Sequence, residues 1–317
     1  MSATTTDDLV LMSGVKVSDL APPPSMTFRP TGGPVGVVVD SIKLADDLTG
    51  YEIATLQALV DHAGLVVLPG QDDLTPERQG QIMECFGAPF FRNQGIDSIA
   101  MLKQTTVQIL GSQAKDGLSD IPEADVDNGR DLVPHSDVQD YQVTPTYTMI
   151  HGVEVVPSEM GGSTYFANLY QAYDELSDED KALIDGKVWM PASSQATAYG
   201  VGMKSAKDDV KANGHKLESD VRHPVVRTHP VTRRQALWVS TGFTVRIDDV
   251  GSPEDGKRLA KRLKDYANSD RFVYRHTWQP HDVLVWDNRC VNHWRDGWPA
   301  GMRRTLHRCQ AASSRPF

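Results

Sequence analysis

The stretch Leu132-Val133-Pro134-His135-Ser136-Asp137 places an imidazole and a carboxylate two residues apart. It reads as a β-strand, and alternate side chains of a strand point to the same face. His135 and Asp137 would then converge on one point, while Ser136 would turn away. Nitrogen and oxygen ligands on one face, with no cysteine nearby, are typical of a site for a divalent metal ion. Such a pair alone is weak evidence, because most His-x-Asp pairs are surface or turn features.

The C-terminal part of the chain offers a third ligand. His293 follows the apolar segment 282–286, which is predicted to be a buried strand, so one imidazole could point into the same interior. Two histidines and one carboxylate form the facial triad of non-haem Fe(II) oxygenases, which leaves three positions on the metal open. The sequence therefore predicts an iron site at His135, Asp137 and His293.

Two arginines extend the prediction. Arg304, Leu306 and Arg308 share one face of a predicted strand. If that face lines the interior, two guanidinium groups are buried, which is costly unless they are paired. No carboxylate stands beside them at a matching spacing, and arginine forms forked bonds to carboxylates. An open metal position and a buried arginine fit 2-oxoglutarate, with its keto-acid end on the metal and its other carboxylate at Arg304.

The elements that must position these residues are mainly short strands. The chain also contains a few amphipathic helices and shows neither an internal repeat nor a domain-splitting linker, so a barrel or jelly roll with helices packed outside it is expected. We predict helices over residues 47–62, 75–86, 172–184 and 252–267, and the third of these is interrupted at 177–180. A hairpin is predicted over 225–239. The proline-containing residues 1–30 are interpreted as an N-terminal extension on the surface or partly disordered, and 31–317 as one domain with insertions near 112–131 and 195–220.

Composition excludes several other classes of protein. The 317 residues carry a formal charge of −10 without a block of Lys or Arg, which argues against nucleic acid or an anionic membrane as a partner. The cysteines Cys85, Cys290 and Cys309 form no CxxC pair, which favours a reduced compartment. No run approaches the roughly 18 apolar residues of a membrane span. Asp7 and Asp8 stand where a signal peptide would be positive. A cytoplasmic protein is expected.

Taken together, these residues resemble the taurine dioxygenase family, the Fe(II)/2-oxoglutarate enzymes that include taurine and chlorophenoxyacetate dioxygenases. The resemblance runs from about Gly33 to Gln310. The family pattern is His-x-Asp, a distal His, and an Arg eleven residues after it, found here as His135, Asp137, His293 and Arg304. Further matching segments are Asp287-Asn288-Arg289, Gly161-Gly162-Ser163-Thr164, 223–230 and 64–87.

The resemblance implies a double-stranded β-helix (jelly-roll) core, mainly β with flanking helices. It implies Fe(II), 2-oxoglutarate and O2 as cofactor and cosubstrates, and Thr164 as a residue that helps to hold the 2-oxoglutarate carboxylate with Arg304. Arg308 matches a position that contacts the acidic group of the substrate in relatives, although it could instead brace 2-oxoglutarate. Phe243 belongs to a segment that resembles the part of the family sequence that lines the substrate pocket. Relatives often form dimers or tetramers, so a homodimer or homotetramer fits the resemblance.

Two departures concern the substrate. Pro134 stands where relatives often have Trp, and Asp131 replaces an Asn that binds substrate in the taurine enzyme. Taurine itself is therefore doubtful, although Asp131 remains a candidate substrate residue. The expected reaction converts 2-oxoglutarate to succinate and CO2 and hydroxylates a C–H bond of a small anionic substrate. Hydroxylation next to S or O would lead to cleavage. Two alternatives are a cupin-like metal-binding protein or isomerase that does not use 2-oxoglutarate, and a non-catalytic binding protein on this fold.

Overall fold

The computed structural model describes residues 9–90, 106–111, 131–192, 219–240, 244–299 and 301–317. Five α-helices lie in these ranges: α1 Gly50–Ala63, α2 Pro76–Glu84, α3 Leu169–Asp174, α4 Asp178–Ile184 and α5 Pro253–Ala267. The strands are β1 Phe28–Pro30, β2 Val37–Val39, β3 Leu65–Leu68, β4 Gln108–Gly111, β5 Leu132–His135, β6 Thr144–Glu154, β7 Thr164–Asn168, β8 Val188–Pro191, β9 His223–Pro224, β10 Val226–Thr228, β11 Gln235–Leu237, β12 Thr244–Ile247, β13 Val273–His276, β14 Val283–Asp287, β15 Val291–Arg295 and β16 Thr305–Ser314.

Two sheets hold most of these strands. The major sheet has the order β1-β2-β3-β14-β6-β16-β4, and the minor sheet has the order β13-β7-β15-β5. The β2–β3 pair is parallel, while the pairs of the minor sheet are antiparallel. The two smaller sheets are β10-β11, which is the predicted hairpin, and β12-β8-β9. The prediction of a mainly β protein with a few helices is thus confirmed.

The major sheet is buried on both faces, as β14 illustrates. Val283 and Val285 belong to a cluster that also contains Leu56 and Leu59 of α1. Leu284 and Trp286 alternate with them and join a second cluster, which contains Phe166 of β7. Because both faces are covered, the strand is apolar throughout, and each such side chain contributes about 1.5–3 kcal/mol on burial. The second cluster lies between the two large sheets and supports the cavity that is described in the next section.

Local signals define the helix ends. Thr75 is the N-cap of α2, and its hydroxyl accepts a hydrogen bond from the backbone N–H of Arg78 at 3.2 Å. Thr49 and Glu52 form a capping box that starts α1 later than the predicted Asp47. The interruption predicted at 177–180 is a complete break between α3 and α4, because Ser177 is the N-cap of α4. No helix in the described ranges is long and apolar enough to cross a membrane.

The N-terminal segment corrects one expectation. Residues 9–30 do not all lie on the surface, because Leu11, Val17 and Met26 are each 5% exposed or less and belong to the same cluster as α1. Phe28 begins β1 and pairs with Val39. These apolar residues are separated by prolines and polar residues without a helical or strand period, so periodicity could not reveal that they are core residues.

Candidate active site

Strands β5 and β15 place two histidines opposite each other. His293 is the register partner of His135, and the ring centroids are 4.3 Å apart. Strand β5 ends at His135, so Asp137 lies in the following turn, where Val138 has a φ of 54°. Ser136 turns away and donates its hydroxyl hydrogen to the carbonyl of Val291 at 2.9 Å. His135 and Asp137 therefore do converge, but a turn rather than strand alternation brings them together.

The three predicted metal ligands form one buried group. The Oδ1 atom of Asp137 lies 3.6 Å from Nε2 of His293 and 3.9 Å from Nε2 of His135. One potential ligand atom from each residue lies within 4.8 Å of the other two. All three residues are buried, and none of their side chains is more than 10% exposed. Two imidazole nitrogens and one carboxylate oxygen are a donor set that suits Fe(II) and leaves half of an octahedral shell open.

The two imidazoles are held differently. The Nδ1 of His135 lies 2.8 Å from the carbonyl oxygen of Val133. Because a carbonyl only accepts, Nδ1 carries the proton and Nε2 presents its lone pair. His293 has no hydrogen-bond partner at Nδ1 among the described residues. Its ring packs against Trp286 and Phe166, with centroid distances of 4.6 and 6.3 Å.

The Asp137 carboxylate is anchored through its other oxygen. Oδ2 accepts hydrogen bonds from the hydroxyl of Thr148 at 2.6 Å and from Nε2 of Gln310 at 3.0 Å. The backbone N–H of Asp137 donates to Oδ1 of Asn288 at 3.1 Å. Oδ1 is the oxygen that faces the histidines, so each carboxylate oxygen has a distinct environment.

Electrostatics keep all three ligands deprotonated. Burial lowers the pKa of His135, and burial together with the neighbouring His135 lowers the pKa of His293 to about 3. Burial acts to raise the pKa of Asp137, but His293 and Arg308 lead the charges that bring it below its usual value. Metal ligands must be deprotonated, so the site is ready to bind a cation at neutral pH.

A cavity opens in front of these atoms. Its walls are mostly apolar, and its charged members besides the ligands are three arginines. Its lining residues are Leu110, Leu132, His135, Asp137, Ile150, Thr164, Trp278, Trp286, His293, Trp294, Arg295, Arg304, Leu306 and Arg308. Arg304, Leu306 and Arg308 do share the cavity face, as the alternation in the sequence predicted.

Arg304 and Thr164 meet in this cavity. Arg304 is 2% exposed, and its Nη2 lies 3.5 Å from the carbonyl oxygen of Gly162. Its guanidinium carbon lies 4.8 Å from the ring centroid of Trp298, which fixes the plane of the group. The hydroxyl oxygen of Thr164 accepts a hydrogen bond from Nε1 of Trp278 at 2.9 Å. The hydroxyl hydrogen of Thr164 can therefore be donated to another group.

Arg308 lies beside the metal ligands. Its Nε and Nη2 donate to Oε1 of Gln108 at 2.9 and 2.5 Å. Its Nη1 lies 4.0 Å from Oδ1 of Asp137. Gln108 thus orients a guanidinium group along the edge of the cavity nearest to the ligand carboxylate.

The other two predicted substrate residues are Asp131 and Phe243, and neither is found in the cavity lining of the described residues. The carboxylate of Asp131 does not belong to the cavity lining and instead accepts the backbone N–H of Gly297 at 2.8 Å. Asp131 was a candidate because it replaces an Asn that binds substrate in the taurine enzyme, but its side chain holds the loop that follows β15. Phe243 lies outside the described residues.

Several site residues were missed by sequence reasoning. Thr148, Gln310, Gln108, Trp278 and Arg295 come from separate segments and contact the ligands or Arg308, or line the cavity. No local signal could have identified Thr148, Gln108 or Trp278. Arg295 and Gln310 could have been found, because each lies two residues after a predicted site residue, His293 or Arg308, on the same strand and therefore on the same face.

A second buried cluster also combines a histidine and an aspartate with a third potential metal ligand. His229, Asp287 and Cys290 each offer a ligand atom within 4.8 Å of the others. The Nε2 of His229 lies 2.9 Å from Oδ2 of Asp287, and its Nδ1 accepts the backbone N–H of Thr232 at 3.1 Å. Arg289 donates to both oxygens of Asp287. Burial raises the pKa of the Cys290 thiol, so it stays protonated. The hydrogen-bonding capacity of these groups is therefore already used within the protein.

Comparison with known proteins agrees with this geometry. The profile of the family described as taurine catabolism dioxygenase TauD, TfdA matches residues 27–310. The chain therefore belongs to this family of dioxygenases. Membership of this family favours a dioxygenase over the two alternatives, a cupin-like metal-binding protein or isomerase and a non-catalytic binding protein.

Individual relatives cover nearly the whole chain. An (S)-phenoxypropionate/alpha-ketoglutarate-dioxygenase of Sphingobium herbicidovorans is 28% identical over 89% of this chain and 93% of its own length. An alpha-ketoglutarate-dependent 2,4-dichlorophenoxyacetate dioxygenase of a Burkholderia species is 26% identical, with shares of 87% and 91%. The crystal structure of AAD-2 in complex with Mn(II) and N-oxalylglycine superimposes with a TM-score of 0.76 and 25% identity, covering 92% of this chain and 99% of that one.

Proposed function

We propose that the chain is an Fe(II)- and 2-oxoglutarate-dependent dioxygenase in which His135, Asp137 and His293 bind the iron. The observation that carries this proposal is the convergence of two imidazole nitrogens and one carboxylate oxygen in a cavity that also contains a buried arginine. The enzyme uses Fe(II), 2-oxoglutarate and O2, as expected for this family.

Arg304 and Thr164 are proposed to hold the distal carboxylate of 2-oxoglutarate. Arg304 is buried in the cavity wall, and a carboxylate is the anion that its planar guanidinium binds best. The Thr164 hydroxyl accepts from Trp278, so its own hydrogen is oriented toward a different acceptor. The Trp298 ring packs against the guanidinium, whose carbon lies 4.8 Å from the ring centroid, so the group is oriented before the carboxylate binds, which lowers the entropy cost of binding.

The protein positions the metal and the reactants and excludes water from the cavity. When bound, iron and 2-oxoglutarate together supply the oxidising chemistry that consumes O2 and releases succinate and CO2. Asp137 and the two histidines hold the metal without needing to lose protons at neutral pH. Ile150, Trp294 and the other apolar lining residues exclude water from the reacting C–H bond.

The substrate is proposed to be a small organic anion. Two relatives are named for aryloxy carboxylates, and Arg308 places a positive group beside the metal ligands. Arg308 is the proposed contact for the acidic group of the substrate, with Gln108 fixing its direction. Oxidation next to the ether oxygen of such a substrate would lead to C–O cleavage, and next to sulfur to C–S cleavage. The cavity geometry gives Asp131 no comparable support, and Phe243 stays a prediction.

The finer architecture belongs to the same proposal. The two large sheets, packed on a shared apolar cluster with the site between them, support a double-stranded β-helix (jelly-roll) core. Residues 31–317 are proposed to form one domain, to which residues 9–30 add core side chains. The cytoplasmic location and the homodimer or homotetramer stay predictions.

The proposal is tested by anaerobic binding and by turnover. Purified protein with Fe(II) should bind 2-oxoglutarate, with the charge-transfer absorption of the chelate, and should release succinate with aryloxy acids, sulfonates, sulfate esters or amino-acid-like acids. Arg304→Met should weaken 2-oxoglutarate binding about 10- to 100-fold, as expected for the loss of a charged hydrogen bond. Arg303→Met is the matched control, because Arg303 is half-exposed and pairs with Glu154. Equal binding by both variants would disprove the role of Arg304.

A further inference from the structure

We propose that Thr148 and Gln310 restrict Asp137 to one-oxygen ligation of the metal and thereby keep a coordination position available for O2. The inference rests on the proposed function, because it concerns the same metal site. It assigns a role to two residues that lie far from the His-x-Asp motif in the sequence.

The two oxygens of Asp137 are divided between two tasks. Oδ1 faces Nε2 of His293 and Nε2 of His135, at 3.6 and 3.9 Å. Oδ2 is engaged by Thr148 at 2.6 Å and by Gln310 at 3.0 Å. A carboxylate oxygen that accepts two such hydrogen bonds would have to give them up before it could rotate toward the metal.

The direction of the Thr148 hydrogen is set by its neighbours. The hydroxyl oxygen lies 2.9 Å from Nδ2 of Asn288 and 3.1 Å from Nε2 of Gln310. Both neighbours are N–H donors, so the hydroxyl must accept from them and can only donate to Asp137. Thr148 is fully buried, so water cannot replace this bond.

Asn288 connects the group to the rest of the fold. Its Oδ1 accepts the backbone N–H of Asp137 and Nε1 of Trp286, each at 3.1 Å. The amide orientation is thereby set, because the oxygen faces two donors and Nδ2 faces Thr148. Asn288 belongs to the Asp287-Asn288-Arg289 segment, which sequence reasoning noted without a role.

Coordination numbers explain why one oxygen matters. An octahedral ion has six positions, of which two histidines and one carboxylate oxygen use three. Chelation by 2-oxoglutarate uses two more, and one remains. If Asp137 bound through both oxygens, it would use that last position. Holding Oδ2 away from the metal therefore preserves the capacity of the site to react with O2.

The experiment counts water on a metal probe. Mn(II) and N-oxalylglycine are bound to the full-length protein, and the exchangeable water molecules on Mn(II) are counted by paramagnetic relaxation of water protons. The wild type should retain one water. Thr148→Val combined with Gln310→Leu should retain none, because Oδ2 then turns to the metal. Thr148→Ser keeps the hydroxyl and should retain one water.

The outcomes separate this inference from the proposed function. If the wild type bound no N-oxalylglycine with Mn(II), the proposed function would fail. If the wild type held one water and the double variant did too, the inference would fail. It would also fail if the double variant bound Mn(II) more than tenfold more weakly, because Thr148 and Gln310 would then aim the carboxylate at the metal rather than limit it. The thermal midpoint of each apo variant verifies that it is folded.

Discussion

Two buried clusters in this protein each contain a histidine beside an aspartate, but they have different roles. In the cluster of His229, Asp287 and Cys290, each ring nitrogen and each carboxylate oxygen has a partner within the protein, and Arg289 donates to both carboxylate oxygens. In the cluster of His135, Asp137 and His293, two Nε2 atoms and one carboxylate oxygen face a cavity. Residue type and burial alone do not distinguish a metal site from a structural network. The distinction is whether the hydrogen-bonding capacity is already used.

The largest expected effect is the loss of turnover in Asp137→Ala. Removal of a ligand should lower the rate of succinate formation more than about 100-fold, beyond what the loss of an outer partner of a ligand causes. The free energy of unfolding of the apo protein should fall by about 1–3 kcal/mol, because the buried Thr148 hydroxyl and Gln310 amide lose their acceptor. Calorimetry of apo protein and a succinate assay measure the two quantities. Large destabilisation with retained turnover would reverse the assignment of the clusters.

The second effect is a loss of stability in Asp287→Ala. This change leaves Arg289 buried beside Asp61 but without the carboxylate that accepts from both its Nε and its Nη2. Removing one partner of a buried pair costs about 3–5 kcal/mol, so the urea midpoint should fall markedly. Mn(II) affinity of the molecules that remain folded at low temperature should stay within a few-fold of wild type. An unchanged urea midpoint would contradict the structural role of the network.

A third effect depends on pH and uses imidazoles that belong to neither cluster. Burial lowers the pKa of both His151 and His307 to about 4. In the unfolded chain each histidine has a pKa of about 6.5 and takes up a proton below that pH, whereas in the folded chain it stays neutral down to about pH 4. The free energy of unfolding therefore falls as the pH falls from about 6.5 to 4. At pH 5 each of the two histidines should lower the free energy of unfolding by roughly 2 kcal/mol. Urea unfolding at pH 7.5 and pH 5 measures the loss, which should shrink in His151→Gln. A pH slope equal to that of wild type would refute this attribution.

The smallest effect concerns Trp278→Phe. The change removes the donor to the Thr164 hydroxyl and keeps most of the ring. One neutral hydrogen bond is worth about 1 kcal/mol, so the KM for 2-oxoglutarate should rise about fivefold. The kcat and the affinity for Mn(II) should not change. A drop in Mn(II) affinity would show that Trp278 acts on the metal ligands instead.

Much of the chemistry of the site could be predicted from the sequence, because it depends on the spacing of residues that are close along the chain. The alternation of Arg304, Leu306 and Arg308 follows from the two-residue period of extended chain and from the cost of burying charge. The His-x-Asp pair and the distal His293 follow from the nitrogen and oxygen donors that a divalent metal ion prefers. Apolar runs and capping residues likewise located most strands and helices, including α2 with Thr75 as its cap. Local geometry and solvation alone are sufficient for these inferences.

Other features depended on how distant strands pair. Thr148, Asn288 and Gln310 meet Asp137 because β6, β14 and β16 are neighbours in the major sheet, which no local pattern reveals. Strand pairing likewise makes His135 and His293 register partners. The same cause separates the two His–Asp clusters, since only tertiary packing determines which nitrogen already has a partner. Residue order thus identifies the ligands, whereas the packed structure decides which oxygen of Asp137 is left for the metal.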